Sequence, residues 1–450
     1  MAEKLRSNVV LIFLSALFVL LATIILFLPL AGLAKIFLIA SGLIFFISLF
    51  HYRFGFLLFL FIRPLIDFAT DQRLFSIGSL KVSLLFVYGG LMLIFSVFVL
   101  INNFSELKEK KLFIPWLLFI LWSLYSFFYS FDIVSSFKEL SRYLSIFFSF
   151  ILGGMLIKKS EQLTVLIKVI IFSSLIPAGV ALSQYFSGTG LLENGDNRLL
   201  GTMAHPNMLA FYLLLPITLS IFIFLNVKKN RLESYAYLMI ALFLIFILVF
   251  TYTRGAYVAL ILIFLLIGLL KFKKFLLVAG LSFLFFYSVS LPFQERFNTL
   301  FKADPYGSIS WRIGLYRDSV GYIKESPIIG YGLGLAEEVI SRNRDFRLGA
   351  TQPHNDYLRV TLDGGLVGLG FYLILIATLL FELFSFYKKE TRPRLKMLNV
   401  FILAFSLSLY AMSLGDNILN DTTLEWQFWA LVGALLATQA IKKPADVPQA

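Results

Sequence analysis

Apolar residues in this chain come in long unbroken stretches, and short polar caps separate them. The stretches run about 18–22 residues, enough to carry a helix across a bilayer core of about 30 Å. They are continuous rather than alternating, which is the pattern of a helix and not of a half-buried strand. Lipid supplies no hydrogen bonds, so a spanning segment must satisfy its own backbone as a helix or in a closed barrel. The pattern predicts spans near 8–29, 33–50, 54–68, 80–101, 112–130, 142–157, 163–186, 206–226, 235–252, 255–270, 275–291, 364–386, 397–417 and 426–441. The third and sixth are the shortest, so the expected total is twelve to fourteen in an all-α polytopic membrane protein. The first is too long for the apolar region of a signal peptide and is read as an uncleaved span.

Between the eleventh and twelfth spans the pattern changes. Residues 292–363 form a connection far longer than usual, and long connections are functional or disordered. Trp311, Tyr316, Tyr322, Tyr331 and Tyr357 argue against disorder. Residues 310–325 predict an amphipathic helix with Trp311, Ile313, Leu315, Val320 and Ile323 among charges, and Pro327 ends it. GYGLG at 330–334 lacks a preceding strand and a Lys-Ser/Thr ending, so it reads as a turn and not a phosphate loop. The predicted organisation is therefore helices 1–11 over 1–291, a folded cap over 292–363, and helices 12–14 with a tail over 364–450.

Composition supports this frame. Of 450 residues, 59% are hydrophobic and only 14% charged, and the mean hydropathy is +0.87. The net charge of +13 does not indicate a nucleic-acid surface, because the basic residues cluster in alternate loops. With Lys4 and Arg6 cytoplasmic, those loops hold Arg53; Lys108, Lys110 and Lys111; Lys158 and Lys159; Lys228, Lys229 and Arg231; Lys271, Lys273 and Lys274; Lys388, Lys389, Arg392, Arg394 and Lys396; Lys442 and Lys443. The expectation is that both termini are cytoplasmic and that 187–205 and 292–363 lie outside. The absence of cysteine excludes disulfides and thiolate chemistry, and three histidines leave little material for a metal site; no metal or cofactor is expected.

A few polar residues stand out. Arg254 sits in FTYTRGAYVAL between two apolar runs, where an arginine is costly unless paired, hydrated or snorkelling to the interface. Arg198 precedes His205, Pro206 and Asn207 at the mouth of the eighth span, where Pro206 suits a helix start. His354 lies in TQPHNDYLRVTLDGG; it reads as a proton acceptor or as a structural loop residue, with Asn355 and Asp356 beside it. Arg312 and Tyr316 face alike at i, i+4, whereas Arg312 and Arg317 diverge by about 140°. Arg63 and Asp67, also four apart, read as an internal ion pair.

These pieces, in order, resemble the O-antigen ligase and polymerase family of bacterial envelope glycosyltransferases. The matching stretches are RLLGTMAHPN at 198–207, TYTRGAY at 251–257, SWRIGLYRDSVGYIKESPIIGYGLG at 310–334 and QPHNDYLRVTLDGGLVG at 352–368. The resemblance implies a multi-pass protein of the bacterial inner membrane with its site facing the periplasm. It implies metal-independent, inverting transfer of a glycan from undecaprenyl diphosphate to a hydroxyl, on lipid A-core for a ligase or on another lipid-linked unit for a polymerase. On that pattern Arg198 and Arg254 bind the diphosphate and His354 is the general base, with Arg312, Asn207, Asn355, Tyr357 and His205 in support. Family members often carry Glu where this chain has Asp363. A transporter or flippase of the same lipid-linked glycan is the rival from another class; it would favour broken helices and internal repeats, neither of which the sequence displays. A non-catalytic envelope assembly protein is a third reading. Reporter fusions within 292–363 are expected to read as outside the cytoplasm, and a cytoplasmic signal would overturn this topology.

Overall fold

The computed structural model describes residues 32–67, 73–77, 80–103, 111–193, 195–227, 230–289, 291, 294, 308–343 and 351–440. The first expected span lies outside them, as do Lys4, Arg6, Lys108, Lys110, Lys228, Lys229, Lys442, Lys443 and parts of the long connection. The other expected spans coincide with helices. These are α1 (Gly32–Phe50), α2 (Tyr52–Ile62), α3 (Leu84–Asn103), α4 (Phe113–Phe128), α5 (Ile133–Leu156), α6 (Ser160–Ser187) and α7 (Pro206–Asn226). They continue with α8 (Arg231–Val249), α9 (Arg254–Leu270), α10 (Lys274–Val289), then α11 (Ser308–Glu325) and α12 (Ala336–Asn343) in the long connection. The chain closes with α13 (Asp356–Lys389), α14 (Pro393–Met412) and α15 (Thr422–Ala440). Seven are long and apolar enough to cross a membrane, and four more are shorter apolar helices. This is an all-α polytopic membrane protein.

The structure differs from the pattern at particular places. The run at 54–68 yields only an 11-residue helix, about 16 Å long and too short to cross alone; Pro64 turns it into a 3₁₀ turn at Arg63–Leu65. Two short antiparallel hairpins were not foreseen: β1 (Arg73–Ile77) with β2 (Leu80–Ser83), and β3 (Leu191–Glu193) with β4 (Asp196–Arg198). Helix α5 begins nine residues before its apolar run, because Asp132 caps it by accepting Val134 N–H at 3.0 Å. In α11 the inward face is Trp311, Leu315, Tyr322 and Ile323, packed with Ala336, Ile340 and Leu362. Ile313 and Val320 are exposed instead, since they lie about 200° and 140° around the helix from Leu315.

The core is tightest where α5 crosses α15. A Cβ on Gly153 would sit 2.2 Å from the Ala430 carbonyl oxygen, and one on Gly433 would sit 2.2 Å from that of Phe150. Small residues let the two backbones touch, which is how helices associate where no hydrophobic gain between them is available. Loop contacts sort the helix ends. Lys111 meets Glu382, Lys168 meets Glu233, and Arg392 meets the Thr438 carbonyl, so the described basic loops gather at one end. The hairpins, α11 and α12 lie at the other, the capped end.

The cap is held by a break in α13. Gly365 has φ +66° inside the helix, which leaves neighbouring backbone groups without helical partners. The turn after α11 supplies them. Tyr331 N–H donates to the Leu362 carbonyl at 2.8 Å and Gly332 N–H to that of Asp363 at 3.0 Å; Leu366 N–H donates back to the Pro327 carbonyl at 2.8 Å. The Asp363 carboxylate accepts Leu335 and Ala336 N–H at 2.9 and 2.8 Å, capping α12. From α4, the Trp122 indole donates to the Gly364 carbonyl at 2.8 Å. Helix α13 thus starts at Asp356, eight residues before the expected span, and its break is a departure from the unbroken helices expected.

A Cβ on Gly365 would lie 2.1 Å from the Ile328 carbonyl oxygen, and a left-handed conformation costs a non-glycine residue about 1–3 kcal/mol. Gly365→Ala is therefore expected to lower the unfolding temperature and speed proteolysis of the cap. Gly370→Ala, which meets nothing within 4 Å, is the matched control. Equal stability of the two variants would refute the stitching role.

Candidate functional site

The capped end brings together polar side chains from four separate loops. Arg198, on β4, is the first anchor. Its Nε donates to the Thr251 carbonyl at 2.9 Å, and Nη2 donates to Asn207 Oδ1 at 2.7 Å and Thr253 Oγ1 at 3.1 Å. Its Nη1 is ion-paired with Glu193, across the β3–β4 hairpin and about half exposed. The turn between α8 and α9 is shaped for this contact. Tyr252 takes φ +50°, uncommon for a side chain of its size, and the flanking Thr251 and Thr253 present oxygens to the guanidinium. Leu199 N–H also donates to the Phe250 carbonyl at 3.0 Å, joining β4 to the turn.

Asn207 continues the chain of contacts. Its Nδ2 donates to Asp416 Oδ2 at 3.2 Å. The other Asp416 oxygen lies 3.7 Å from His354 Nδ1, a buried ring nitrogen with no hydrogen-bond partner among the described residues. Arg198, Asn207, Asp416 and His354 therefore form a line from β4 through α7 and the α14–α15 loop to the start of α13. The second ring nitrogen of His354, Nε2, is the one not turned to Asp416.

His354 is held in place through its backbone. Its φ of +47° is left-handed, a strained state that persists only where surroundings over-determine it. The single proton of the Tyr316 hydroxyl is shared between the His354 carbonyl at 3.0 Å and that of Leu414 at 3.1 Å. Burial pushes the Tyr316 phenol up, which keeps it a donor. Arg312, one turn earlier, donates to the Gly415 carbonyl at 2.6 Å. Asn355 N–H donates to Asn417 Oδ1 at 3.2 Å, and Asn355 Nδ2 to the Leu414 carbonyl at 3.0 Å, while its Oδ1 caps α13. The Trp311 ring meets the His354 ring edge-on at 6.2 Å.

His205 caps α7, accepting Asn207 N–H on Nδ1 at 3.1 Å. Burial, aided by the Arg198 charge, pushes its pKa down, so the ring stays neutral and able to accept. Arg254 is the first residue of α9, next to Thr253 and half-buried; its guanidinium makes no hydrogen bond or ion pair with a described residue. Arg63 and Asp67 form the expected internal pair, at 2.9 Å and buried. Tyr357 is not brought to the line: its hydroxyl donates to the Tyr410 carbonyl at 2.8 Å and ties α13 to α14. Asp363 lies away from it, at the break. Among the described residues no three His, Asp or Glu side chains gather as a metal would require.

Sequence reasoning missed Asp416, Glu193 and Thr253. Asp416 is the costliest omission, since it joins Asn207 to His354. Its one local signal is SLGDN, a polar break directly after an apolar run.

Residues 239–373 match the family model described as O-Antigen ligase. That segment holds Arg254, the cap, His354 and the broken part of α13, while Arg198, Asn207 and Asp416 flank it. The chain is also similar to the ComP-specific O-oligosaccharyltransferase of Acinetobacter baylyi (strain ATCC 33305 / BD413 / ADP1), 27% identical over 339 residues. The alignment covers 68% of this chain and 60% of that relative, so the chain spans less than two thirds of its length. The helical membrane fold, the matched segment and this relative together support an O-antigen ligase-like family for this chain.

Proposed function

We propose that this chain transfers a glycan from a lipid diphosphate, of the undecaprenyl type, to an acceptor hydroxyl at the capped end of the membrane domain. The observation that carries the reading is the hydrogen-bonded line from Arg198 through Asn207 and Asp416 towards His354. In this reaction the hydroxyl oxygen attacks the anomeric carbon, the sugar–phosphate bond breaks, and the diphosphate leaves with the bonding electrons. Attack opposite the leaving group inverts the anomeric centre. The developing negative charge on phosphate oxygens calls for guanidinium groups, which stay protonated and grip such oxygens through paired hydrogen bonds.

Arg198 and Arg254 take that role. Glu193, the exposed partner of Arg198, stands in for the anion and would be displaced by the diphosphate. Arg254 needs no such exchange. His354 accepts the hydroxyl proton, and Asp416 stabilises the imidazolium that forms; a carboxylate beside a histidine base orients and stabilises it in this way. Asn207 links the two halves. The capped end faces away from the cytoplasm in a bacterial inner membrane, both termini are cytoplasmic, and α11 and α12 lie above the site.

Lipid A-core is the acceptor we favour, as for a ligase; growth of a second lipid-linked unit, as for a polymerase, is the alternative. The relative's name, an O-oligosaccharyltransferase, agrees with oligosaccharide transfer to oxygen in either case. A transporter draws less support. The break in α13 is the feature it would need, but the 326–335 turn occupies those backbone groups, leaving them unavailable to a passing substrate.

Reconstitution with a lipid-linked glycan and separate acceptors tests the reading. Product on lipid A-core identifies a ligase, and glycan lengthening on the carrier a polymerase. His354→Ala is expected to lower turnover at least about 100-fold, the scale of general-base loss, with membrane insertion unchanged. Asp416→Asn should lower kcat while KM changes little. Full turnover by His354→Ala would remove the proposed base.

A further inference from the structure

The turn that repairs the break in α13 leaves apolar side chains uncovered. Ile328 is 65% exposed, and Ile329 follows it. Next to them stand Leu366 on α13, 55% exposed, and Phe128 at the end of α4, 77% exposed. The four continue two apolar faces that run down the membrane domain. On α4 that face carries Leu121 and Leu124, and on α13 it carries Leu373 and Ile374, all exposed.

Two helices measure how deep this patch lies. The Lys111–Glu382 ion pair sits at the end opposite the cap and marks the far membrane boundary. Sixteen residues of α13 separate Glu382 from Leu366, about 24 Å of helix. Helix α4 starts two residues after Lys111 and is 16 residues long, again about 24 Å. Both lengths fall short of a hydrocarbon core of about 30 Å, and any tilt shortens them further. The patch therefore lies below the outer edge of the core. The ring ladder Trp122–Tyr125–Tyr129, with centroids 5.2 and 5.6 Å apart, ends at the same level, where aromatic residues gather at a membrane boundary.

The backbone is finished as that depth requires. Irregular main chain survives among lipid only where protein groups satisfy it. Every carbonyl from 327 to 330 and from 362 to 364 has a donor. Leu366 and Val367 N–H serve Pro327 and Ile328, and Tyr331 and Gly332 N–H serve Leu362 and Asp363. Side chains serve the rest: the Tyr129 hydroxyl for Ile329, the Ser326 hydroxyl for Gly330 at 2.7 Å, and the Trp122 indole for Gly364 at 2.8 Å. A turn in water has no need of these three.

We propose that residues 326–330 form a re-entrant turn immersed in the bilayer, with acyl chains of the leaflet on the capped side covering Ile328, Ile329, Leu366 and Phe128. The chain enters and leaves from the capped end, so the turn adds no crossing. The cap is thereby seated in the lipid and not merely above it. This seating requires no step of the transfer reaction.

The chain has no cysteine, so a single one can be labelled cleanly. The full chain carrying Ile328→Cys is labelled with a nitroxide in phosphatidylcholine nanodiscs, and its collisions with oxygen and with a water-soluble nickel chelate are measured. Oxygen is expected to exceed nickel severalfold, as at Leu373→Cys on the apolar face of α13. Ser341→Cys, on the exposed side of α12, should give the reverse. Leu366→Cys gives the same reading if the turn does not accept a label. The inference is overturned if nickel reaches these labels as it reaches residue 341. It is equally overturned if both reagents are excluded, which would mean that a second copy or another protein covers the patch.

Discussion

A backbone amide withdrawn from water must find a partner, and in this protein that requirement is sharpest at the break in α13. Gly365 leaves the helical conformation, and the turn at 326–335 supplies the missing donors and acceptors. The exchange ties the cap to the membrane domain through main-chain bonds, which side-chain substitution elsewhere cannot remove. The position of α11 follows from it. So does the reach of Tyr316 and Arg312 to the loop at 414–415, and the grip of Tyr316 on the His354 carbonyl. The histidine is aimed by a chain of constraints that begins at a glycine several turns away.

The line of polar residues draws on four loops that are far apart in sequence, and each is stiffened locally. A hairpin carries Arg198. Tyr252 and His354 sit in left-handed conformations. His205 and Asn355 cap the helices that begin beside them. Loops at a membrane surface usually keep conformational freedom, and holding four of them in register costs entropy at each ordered residue. The main-chain hydrogen bonds offset that cost, and they keep the charged groups in a fixed relation to one another.

Much of the helical frame was legible because lipid forces long apolar runs, and such runs are visible one residue at a time. The helix at 308–325 and the turn at 330–334 were legible too, from Pro327 and the glycine spacing. The start of α13 was not, because Asp363-Gly364-Gly365 carries the signature of a helix boundary; the turn that rescues it lies about 35 residues earlier. The hairpins escaped notice because three to five residues show no dependable alternation. Arg198, Asn207 and His354 were picked out by residue type and resemblance, whereas Asp416 required knowing that the α14–α15 loop folds back beside α7. Long-range partnership of that kind has no local signature. The exposure of Ile313 and Val320 is a similar case, since only the position of Leu362 decides which side of α11 turns inward.

The crossing of α5 and α15 has a consequence for how this sequence can drift. Where two helices meet through side chains, a larger residue on one can be matched by a smaller one on the other. At Gly153 and Gly433 the facing atoms are carbonyl oxygens, which no codon change can trim. Compensation is closed to both positions, so the crossing behaves as an inherited hinge pin that mutation can break but not resize.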